Sequence, residues 1–269
     1  MPQKNWNPHE YDKQSVLQYN TAMSMLNTLP LKGNEKILDI GCGTGRITSQ
    51  IARERLTNGG SIIGLDINEG MIDYAKNNYV HNNLSFECKN VLDMDHEESF
   101  DLVISFWTLS WIPLKDQADA LQKIIQSLNE DGNLFLMYPL KHDAYEVVTE
   151  VIKRPHWQKY FQNYAMPRSF ITEEQYKDLI LSHIPMDISV QKKEIECRYT
   201  SDQEMVDSIN CWLAHVDEIS EPREKNQFLW EVAEAYKAFR GISTPAMFYS
   251  TLEITGCKNT LQNNLKFTC

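Results

Sequence analysis

The sequence predicts an α/β fold: a doubly wound, mainly parallel sheet of seven strands, whose last strand is antiparallel, together with a helical cap. Between Lys36 and about Leu140, short runs rich in Ile, Val, Leu and Phe alternate with helical patterns, and this alternation is typical of βαβ units. After Leu140 the sequence is mostly helical and then contains two further strand-like stretches. Because βαβ crossovers are right-handed, we expect helices on both faces of the sheet and the last two strands at its edge.

The strands are predicted from apolar runs bounded by turn residues. They are Lys36–Ile40, Ser61–Asp66, Leu84–Cys88, Phe100–Phe106, Asn133–Tyr138, Asp187–Tyr199 and Ala246–Ile254. Helices are expected to begin near Gly45, Glu69 and Asp116, and to cover Ala144–Phe161, Thr172–His183, Asp202–Glu218 and Pro222–Phe239. Gly241 suits the turn after the last helix, because glycine readily adopts the left-handed conformation found there.

An N-terminal helix is predicted before the first strand, with two adjacent stripes of side chains. The first stripe contains Tyr11, Ser15, Gln18 and Ala22; the second contains Val16, Tyr19, Met23 and Leu26. If the second stripe packs on the core, the first faces whatever lies over the strand ends. The helix is then a lid, and an ordinary amphipathic helix with a polar flank is the alternative.

Net charge argues against a nucleic-acid partner. The 269 residues include 37 acidic and 26 basic side chains, which gives a formal charge of -11, and a negatively charged surface repels a polyphosphate backbone. The short basic run Gln191–Lys193 lies in strand-like sequence, where a solvated sheet edge is the expected role. The oligomeric state is not encoded in any pattern that we can identify.

The location and redox state follow from the N-terminus and the cysteines. Residues 1–20 are polar and no window approaches 18 apolar residues, so we expect no signal peptide, no membrane span and a cytoplasmic protein. The six cysteines form no CxxC pair and no zinc-ligand spacing with the seven histidines. We therefore expect free thiols in a reducing compartment and no metal site.

A glycine-rich turn carries the main functional signal. The run Leu38-Asp39-Ile40-Gly41-Cys42-Gly43-Thr44-Gly45 joins a strand to a helix, so its backbone turns tightly and presents amide donors to a ligand. Asp66 ends the next strand, where a carboxylate can accept hydrogen bonds from both hydroxyls of a ribose. A dinucleotide site prefers G-x-G-x-x-G, but residue 46 is arginine. The spacing thus favours S-adenosylmethionine over a nicotinamide cofactor; glycines that merely close a βα turn are the alternative.

On these residues the sequence resembles the class I S-adenosylmethionine-dependent methyltransferases, which have a Rossmann-like fold. The resemblance implies that Gly41, Cys42 and Gly43 contact the methionine part of the cofactor. It also implies that Asp66 and Ile67 contact the ribose and adenine, and that Asn90, followed by Val91, holds the adenine amine. Four further residues are expected around the cofactor: Tyr11, Asp39, Gly45 and Phe106. The spent cofactor would be S-adenosylhomocysteine.

A second resemblance concerns the methyl acceptor. The segment Ser105–Pro113 is similar to that of the small-molecule carboxyl methyltransferases acting on trans-aconitate, malonyl carrier protein and juvenile hormone acid. The N-terminal residues 6–18 are similar to the same group. The resemblance implies that Gln18 and Trp111 position the acceptor carboxylate, since an amide and an indole N–H are both donors. Trp107, Trp157 and Trp212 are expected to pack or to line an apolar pocket.

The predicted reaction is O-methylation of a small, largely apolar carboxylic acid. A carboxylate is ionised near neutral pH and needs no general base, although His9, His142 or His183 could serve a hydroxyl acceptor. Residues 1–140 would form the cofactor-binding core with its lid helix, and 141–269 a substrate cap plus the last two strands. Cap residues that could line the acceptor pocket are Tyr160, Phe161, Met205, Trp212 and Phe228. Carbon or nitrogen methylation of another metabolite or a quinone, and a non-catalytic sensor of S-adenosylmethionine, remain alternatives.

Overall fold

A computed structural model describes residues 4–183 and 186–258 of the chain. Its centre is a seven-stranded sheet with the order β3-β2-β1-β4-β5-β7-β6. The strands are β1 (Lys36–Ile40), β2 (Ser61–Asp66), β3 (Leu84–Cys88), β4 (Phe100–Ser105), β5 (Leu128–Pro139), β6 (Asp187–Arg198) and β7 (Ala246–Cys257). The first five strands are parallel to one another, whereas β7 runs antiparallel to both β5 and β6. The predicted α/β sheet, with an antiparallel last strand, is confirmed.

The largest difference in the strands is at β5, which begins at Leu128 rather than at Asn133. Leu128 pairs with Phe100, and the register then shifts before Leu102 pairs with Asn133. The intervening residues 129–132 are polar or glycine, a composition typical of a turn. The predicted strand therefore began only after them, at Asn133. At the other end of the sheet β6 is the edge strand, and its basic residues Lys192 and Lys193 are exposed as predicted.

Ten α-helices surround the sheet in the described part of the chain. They are α1 (Pro8–Gln14), α2 (Val16–Leu26), α3 (Arg46–Glu54), α4 (Glu69–Asn78), α5 (Leu114–Ser127), α6 (Ala144–Ile152), α7 (Pro155–Gln158), α8 (Glu173–His183), α9 (Asp202–Trp212) and α10 (Pro222–Arg240). The predicted helix Ala144–Phe161 is two helices, because Pro155 starts a new helix at its first position, where its missing N–H is not needed. Gly241 ends α10 with a φ of 65°, as expected. Among the described residues, no helix has the length and apolarity needed to span a bilayer.

The N-terminal lid is two helices rather than one, and the first of its two stripes is buried more deeply than the second. Ser15 separates α1 from α2 with a ψ of 36°. Near this break the Arg46 side chain donates a hydrogen bond of 2.9 Å to the Asp12 carbonyl. In α2 the more deeply buried stripe contains Gln18 and Ala22, the stripe that was expected to face the region over the strand ends while its neighbour packed on the core. Tertiary contacts with the glycine loop therefore override the simple helical repeat.

The cap has an apolar core of its own beside the sheet edge. Trp157, Phe228 and Tyr236 are fully buried there, and the Trp157 indole N–H donates to Glu231 over 2.9 Å. Burying side chains of this size contributes about 1.5–3 kcal/mol each. This core positions α6, α9 and the loop 159–172 above the carboxyl ends of the parallel strands.

Candidate active site

The loop after β1 has the backbone that its glycines predict. Gly41, Gly43 and Gly45 have φ values of 74°, 56° and 78°, in the left-handed region that side chains disfavour. A Cβ atom added at Gly41 would lie 2.2 Å from Thr108, and one at Gly45 would lie 2.5 Å from Phe86. Both positions therefore require glycine for space as well as for conformation.

Asp66 lies at the end of β2, directly beside this loop. One carboxylate oxygen accepts the Gly43 N–H and the other accepts the Asn68 N–H, each at 2.9 Å. Burial raises the pKa of Asp66, and the backbone hydrogen bonds oppose that shift. Each oxygen keeps an unused lone pair, so the carboxylate is held in one orientation and can still accept from two ribose hydroxyls.

A cleft of about 300 Å³ opens between this carboxylate and the ends of β1 and β3. Its walls include Gly41, Leu65, Asp66, Ile67, Asn90, Val91, Thr108, Trp111, Ile112 and Pro113. Ile67 is 53% exposed and its side chain forms part of the open wall of the cleft. The Asn90 side-chain oxygen accepts the Leu92 N–H over 3.1 Å. Apolar walls, an oriented amide and the Asp66 carboxylate together fit an adenosine group.

Asp39 lies beneath the loop and does not line the cleft. Its side chain is 3% exposed and accepts a 2.7 Å hydrogen bond from the Thr48 hydroxyl. Burial raises the pKa of Asp39 to about 7. The position indicates that Asp39 fixes the start of α3 under the loop rather than touching a ligand.

Helix α1 lies over the glycine loop as a lid. A Cβ atom at Gly43 would meet the Tyr11 ring at 3.5 Å, and Trp6 packs edge-on to Tyr11 at 5.2 Å. The helix is fastened by Asp12, which accepts hydrogen bonds from the hydroxyls of Thr44 (2.8 Å) and Tyr79 (3.1 Å). A ligand above the glycines would thus be covered by α1.

A second, narrow cavity of about 30 Å³ continues from Gly41 beneath the lid. It is lined by Tyr11, Ser15, Gln18, Tyr19, Gly41, Cys42, Thr44, Arg46, Ile47, Phe106 and Trp107. Arg46, which sequence reasoning used only to argue against a dinucleotide, stacks on Tyr19 at 4.3 Å. It forms no ion pair with any carboxylate in the described part of the chain. The cavity can therefore offer a guanidinium to the carboxylate of a methionine group.

A third cavity adjoins the second and shares Gln18 and Trp107 with it. Its lining residues are Leu17, Gln18, Trp107, Pro139, His142, Arg168, Trp212 and Tyr249. At about 10 Å³ it has room for about one water molecule in this conformation. A larger guest would enter only if the side chains or the loop 159–172 move.

Four buried polar atoms of the residues that line the third cavity are without hydrogen-bond partners. Within residues 4–183 and 186–258, seven buried side-chain nitrogen or oxygen atoms make no hydrogen bond, and four of them belong to lining residues of this cavity. They are Gln18 Oε1, Trp107 Nε1, His142 Nδ1 and Trp212 Nε1. Leaving such an atom unpaired costs about 1–3 kcal/mol. Their concentration at one place indicates a polar ligand site.

Arg168 supplies the positive charge of this cavity. Its guanidinium donates to the Ser110 hydroxyl (2.7 Å) and the Tyr145 hydroxyl (3.0 Å), and it lies 4.6 Å above the Trp111 ring. No carboxylate among the described residues forms an ion pair with it. Since a partly buried guanidinium normally has an anionic partner, the site is suited to an anion.

His142 is neutral in this setting. Burial, with a smaller contribution from the positive charge of Arg168, lowers the pKa of His142 to about 3. The rings of Tyr145, Trp212 and Tyr249 each lie within 5 Å of the imidazole centre. A neutral imidazole can offer one N–H or one lone pair to a guest but adds no charge near neutral pH.

Several predicted acceptor residues lie elsewhere. Trp111 lines the adenosine-sized cleft and packs against Trp6 at 5.1 Å; it is not part of the third cavity. Among the five cap candidates, Trp212 lines the third cavity, whereas Tyr160, Phe161, Met205 and Phe228 pack in the cap core. Trp157 is also fully buried there, while His9 packs against Tyr74 and His183 bonds to the Leu179 carbonyl.

Sequence reasoning missed Arg168, and it considered His142 only as a base for a hydroxyl acceptor or as a packing residue. Arg168 lies in the irregular loop 159–172, where no helical or strand repeat indicates which way a side chain points. The signal that marks His142 as a ligand contact is its place just after the carboxyl end of β5, where ligands bind in open α/β sheets.

Comparison of the sequence with known proteins identifies the family of this chain. The methyltransferase domain family matches residues 31–196. A putative methyltransferase of Invertebrate iridescent virus 6 is 27% identical over 94% of this chain and 93% of its own length. The juvenile hormone acid O-methyltransferase of Bombyx mori is 29% identical over 58% of this chain, and the match spans 60% of that protein.

Solved structures show the same fold. The phosphoethanolamine N-methyltransferase 2 of Haemonchus contortus, crystallised with S-adenosylhomocysteine, superposes with a TM-score of 0.56 at 16% identity. The superposition covers 90% of this chain and 53% of that one. The matched residues include the glycine loop, Asp66 and the five parallel strands β1–β5. The chain belongs to the methyltransferase domain family and has the class I S-adenosylmethionine-dependent methyltransferase fold.

Proposed function

We propose that this protein transfers the methyl group of S-adenosylmethionine to the carboxylate of a small, largely apolar carboxylic acid. One observation carries the acceptor class: the third cavity joins a guanidinium without an anionic partner to two buried, unpaired indole N–H donors, those of Trp107 and Trp212. A carboxylate accepts several hydrogen bonds and carries the opposite charge. A neutral carbon or nitrogen acceptor would leave Arg168 without a counter-charge.

The cofactor would occupy the first two cavities. Asp66 accepts from the ribose, Ile67 and Val91 cover the adenine, and the Asn90 side chain faces its amine. Arg46 pairs with the methionine carboxylate under α1. The bound cofactor supplies an electrophilic methyl group on a positively charged sulfur.

The chain's own task is then alignment. Arg168 and the unpaired donors would hold the acid in the third cavity, next to the wall of Gln18 and Trp107 that it shares with the methionine side. Holding two reactants in line contributes about 7–11 kcal/mol at best. One carboxylate oxygen bonds to the methyl carbon, the methyl–sulfur bond breaks, and its electron pair stays on sulfur. No proton moves, so a neutral His142 suffices.

The acid's remainder would lie among aromatic side chains. Trp107, Trp212 and Tyr249 form the walls of the third cavity, and Tyr145 and Phe170 pack side by side next to them at 4.7 Å. Such walls favour apolar carbon chains or rings. The juvenile hormone acid enzyme, which shares 29% identity with this chain, is named for an acid acceptor and supports the same class.

The alternatives make different products. A carbon or nitrogen methyltransferase would use the same cofactor residues but give a product stable to base. A sensor would bind S-adenosylmethionine and transfer nothing; the donor-rich third cavity has no role in that case.

The test is methyl transfer from labelled S-adenosylmethionine to a panel of straight-chain and aromatic carboxylic acids, with Asp66→Ala as a cofactor-binding control. We expect labelled, base-labile esters from the wild type and none from the control. Base-stable products would replace this proposal by carbon or nitrogen transfer. Cofactor binding by calorimetry with no product from any acid would overturn it in favour of a sensor.

A further inference from the structure

We propose that the indole N–H of Trp107, and not that of Trp111, donates the hydrogen bond that holds the acceptor carboxylate opposite Arg168. The assignment rests on the proposed function and names the residue that orients the acid. It differs from the role that resemblance gives to Trp111.

The first argument is position. Trp107 lines both the methionine-side cavity and the third cavity, so it stands where the two reactants would meet. Trp111 lines the adenosine-sized cleft instead. Of the two tryptophans, only Trp107 borders the cavity that contains Arg168.

The second argument is the indole nitrogen itself. Trp107 Nε1 is buried and makes no hydrogen bond to any residue that the structure describes, which costs about 1–3 kcal/mol when nothing binds there. Its ring is held edge-on to Tyr249, with 5.9 Å between ring centres. The nitrogen is thus fixed at the cavity wall with an unused donor, and a carboxylate oxygen would use it.

The third argument is the backbone. Within the described chain, Trp107 and Glu98 are the two non-glycine residues with positive φ, and Trp107 has a φ of 62°. This conformation costs about 1–3 kcal/mol for a bulky residue and persists where the surroundings enforce it. Trp107 comes two residues after the end of β4, so the turn directs the chain away from the sheet at the cavity. A bulky residue with a strained backbone and an unpaired side-chain donor of its own is typical of a position that contacts a ligand.

Trp111 has a different task in the same geometry. The Arg168 guanidinium rests on its ring face at 4.6 Å, and Trp6 packs against it at 5.1 Å. Its nitrogen is not one of the buried, unpaired atoms. Trp111 therefore supports Arg168 and closes the adenosine cleft, so its replacement acts on the acid only through Arg168.

The test compares Trp107→Phe with Trp111→Phe, using octanoate as the acid and saturating S-adenosylmethionine. Loss of a hydrogen bond to a charged group predicts that Trp107→Phe raises the KM for octanoate about 10-fold or more. Its affinity for S-adenosylhomocysteine, measured by calorimetry, should fall by less than about 3-fold, because phenylalanine keeps an aromatic wall on the methionine side. Trp111→Phe should instead weaken S-adenosylhomocysteine binding and change the KM for octanoate by less than about 3-fold. The reverse pattern would overturn the assignment.

A spectroscopic readout keeps the test independent of folding differences. The chain has six tryptophans, and with ¹⁵N-labelled indoles the Trp107 signal is identified by its loss in Trp107→Phe. Octanoate added to the S-adenosylhomocysteine complex should move that indole proton signal downfield, as a new hydrogen bond requires, and leave the Trp111 signal in place. A shift confined to Trp111 would contradict the proposal.

The two hypotheses fail in distinguishable ways. If the wild type methylates no acid, the proposed function is overturned and the Trp107 assignment loses its premise. If the wild type methylates octanoate or another acid of the panel and Trp107→Phe does so with an unchanged KM, only the Trp107 assignment is wrong.

Discussion

The adenosine-sized cleft and the third cavity are lined from different strands of one sheet, and their polar groups are satisfied to different degrees. In the cleft, Asp66 and Asn90 are already held by backbone N–H groups. In the third cavity, the Trp107 and His142 nitrogens are buried without partners among the described residues. The cleft is thus preorganised, whereas the third cavity is complete only with a guest.

This difference separates two kinds of binding energy. A group that is fixed before binding loses little entropy when the ligand arrives. A buried group without a partner instead gains a hydrogen bond that the empty protein lacks. The first arrangement suits a cofactor common to many enzymes, and the second makes the choice of acceptor sensitive to chemistry.

The largest expected effect is on cofactor affinity, when the preorganised cleft is disrupted at Asp66. Asp66→Ala removes the acceptor for Gly43 and for the ribose, so we expect the affinity for S-adenosylhomocysteine to fall about 100-fold, which corresponds to about 3 kcal/mol. Calorimetry measures it, with Asp73→Ala on the exposed face of α4 as the matched control. An unchanged dissociation constant would mean that Asp66 only shapes the loop.

The next largest effect is expected at Arg168, whose replacement changes the third cavity alone. Arg168→Ala should lower kcat/KM for octanoate by about 30- to 100-fold with little change in S-adenosylhomocysteine affinity. Arg168→Lys should recover part of the loss because it keeps the charge but not the planar fork. As a control, Arg154→Ala removes a surface guanidinium that pairs with Glu231. Equal losses of cofactor and acid binding in Arg168→Ala would contradict the proposal that Arg168 binds the acceptor and not the cofactor.

A smaller effect concerns stability against pH. Burial lowers the pKa of His142 from its ordinary value of 6.5 to about 3 in the folded protein, so the unfolded chain takes up the proton first as the pH falls. The stability from neutral His142 is full above pH 6.5 and is lost as the pH falls towards 3. Lowering the pH from 7.5 to 5 therefore reduces the free energy of unfolding by about 2 kcal/mol through His142.

His142→Gln should therefore flatten the pH dependence of urea unfolding over that range. His215 is the matched control: burial lowers its pKa to about 4, and it contacts Tyr164 outside the third cavity. His215→Gln should flatten the curve to a similar degree and leave the KM for octanoate unchanged. An unaltered slope in His142→Gln would show that its protonation is not coupled to folding.

The preorganised side was predictable from sequence because each part of it is local. Gly41–Gly45, Asp66–Ile67 and Asn90–Val91 each follow a strand, and the parallel sheet brings the three ends together. The first three strands agree with the predicted bounds at every residue. Asp39 was the exception, since its burial beneath Thr48 depends on how α3 packs.

The third cavity was not predictable in the same way. Gln18, Trp107, His142, Arg168 and Trp212 come from five separate segments, and no repeat relates them. The break at Ser15 separates α1 from the helix that carries Gln18, and Asp12 just before it contacts Thr44 and Arg46. Such long-range contacts leave no local pattern for a sequence to reveal.

The loop 159–172 has an evolutionary consequence. It carries Arg168 and is tied to the sheet region through Ser169, whose N–H donates to the Ser110 carbonyl over 2.7 Å and whose carbonyl accepts from Tyr138. Loops tolerate insertion and substitution more readily than helices and strands do. If Arg168 binds the acceptor as proposed, substitutions in this one surface segment would change acceptor preference without altering the residues that hold the methyl donor.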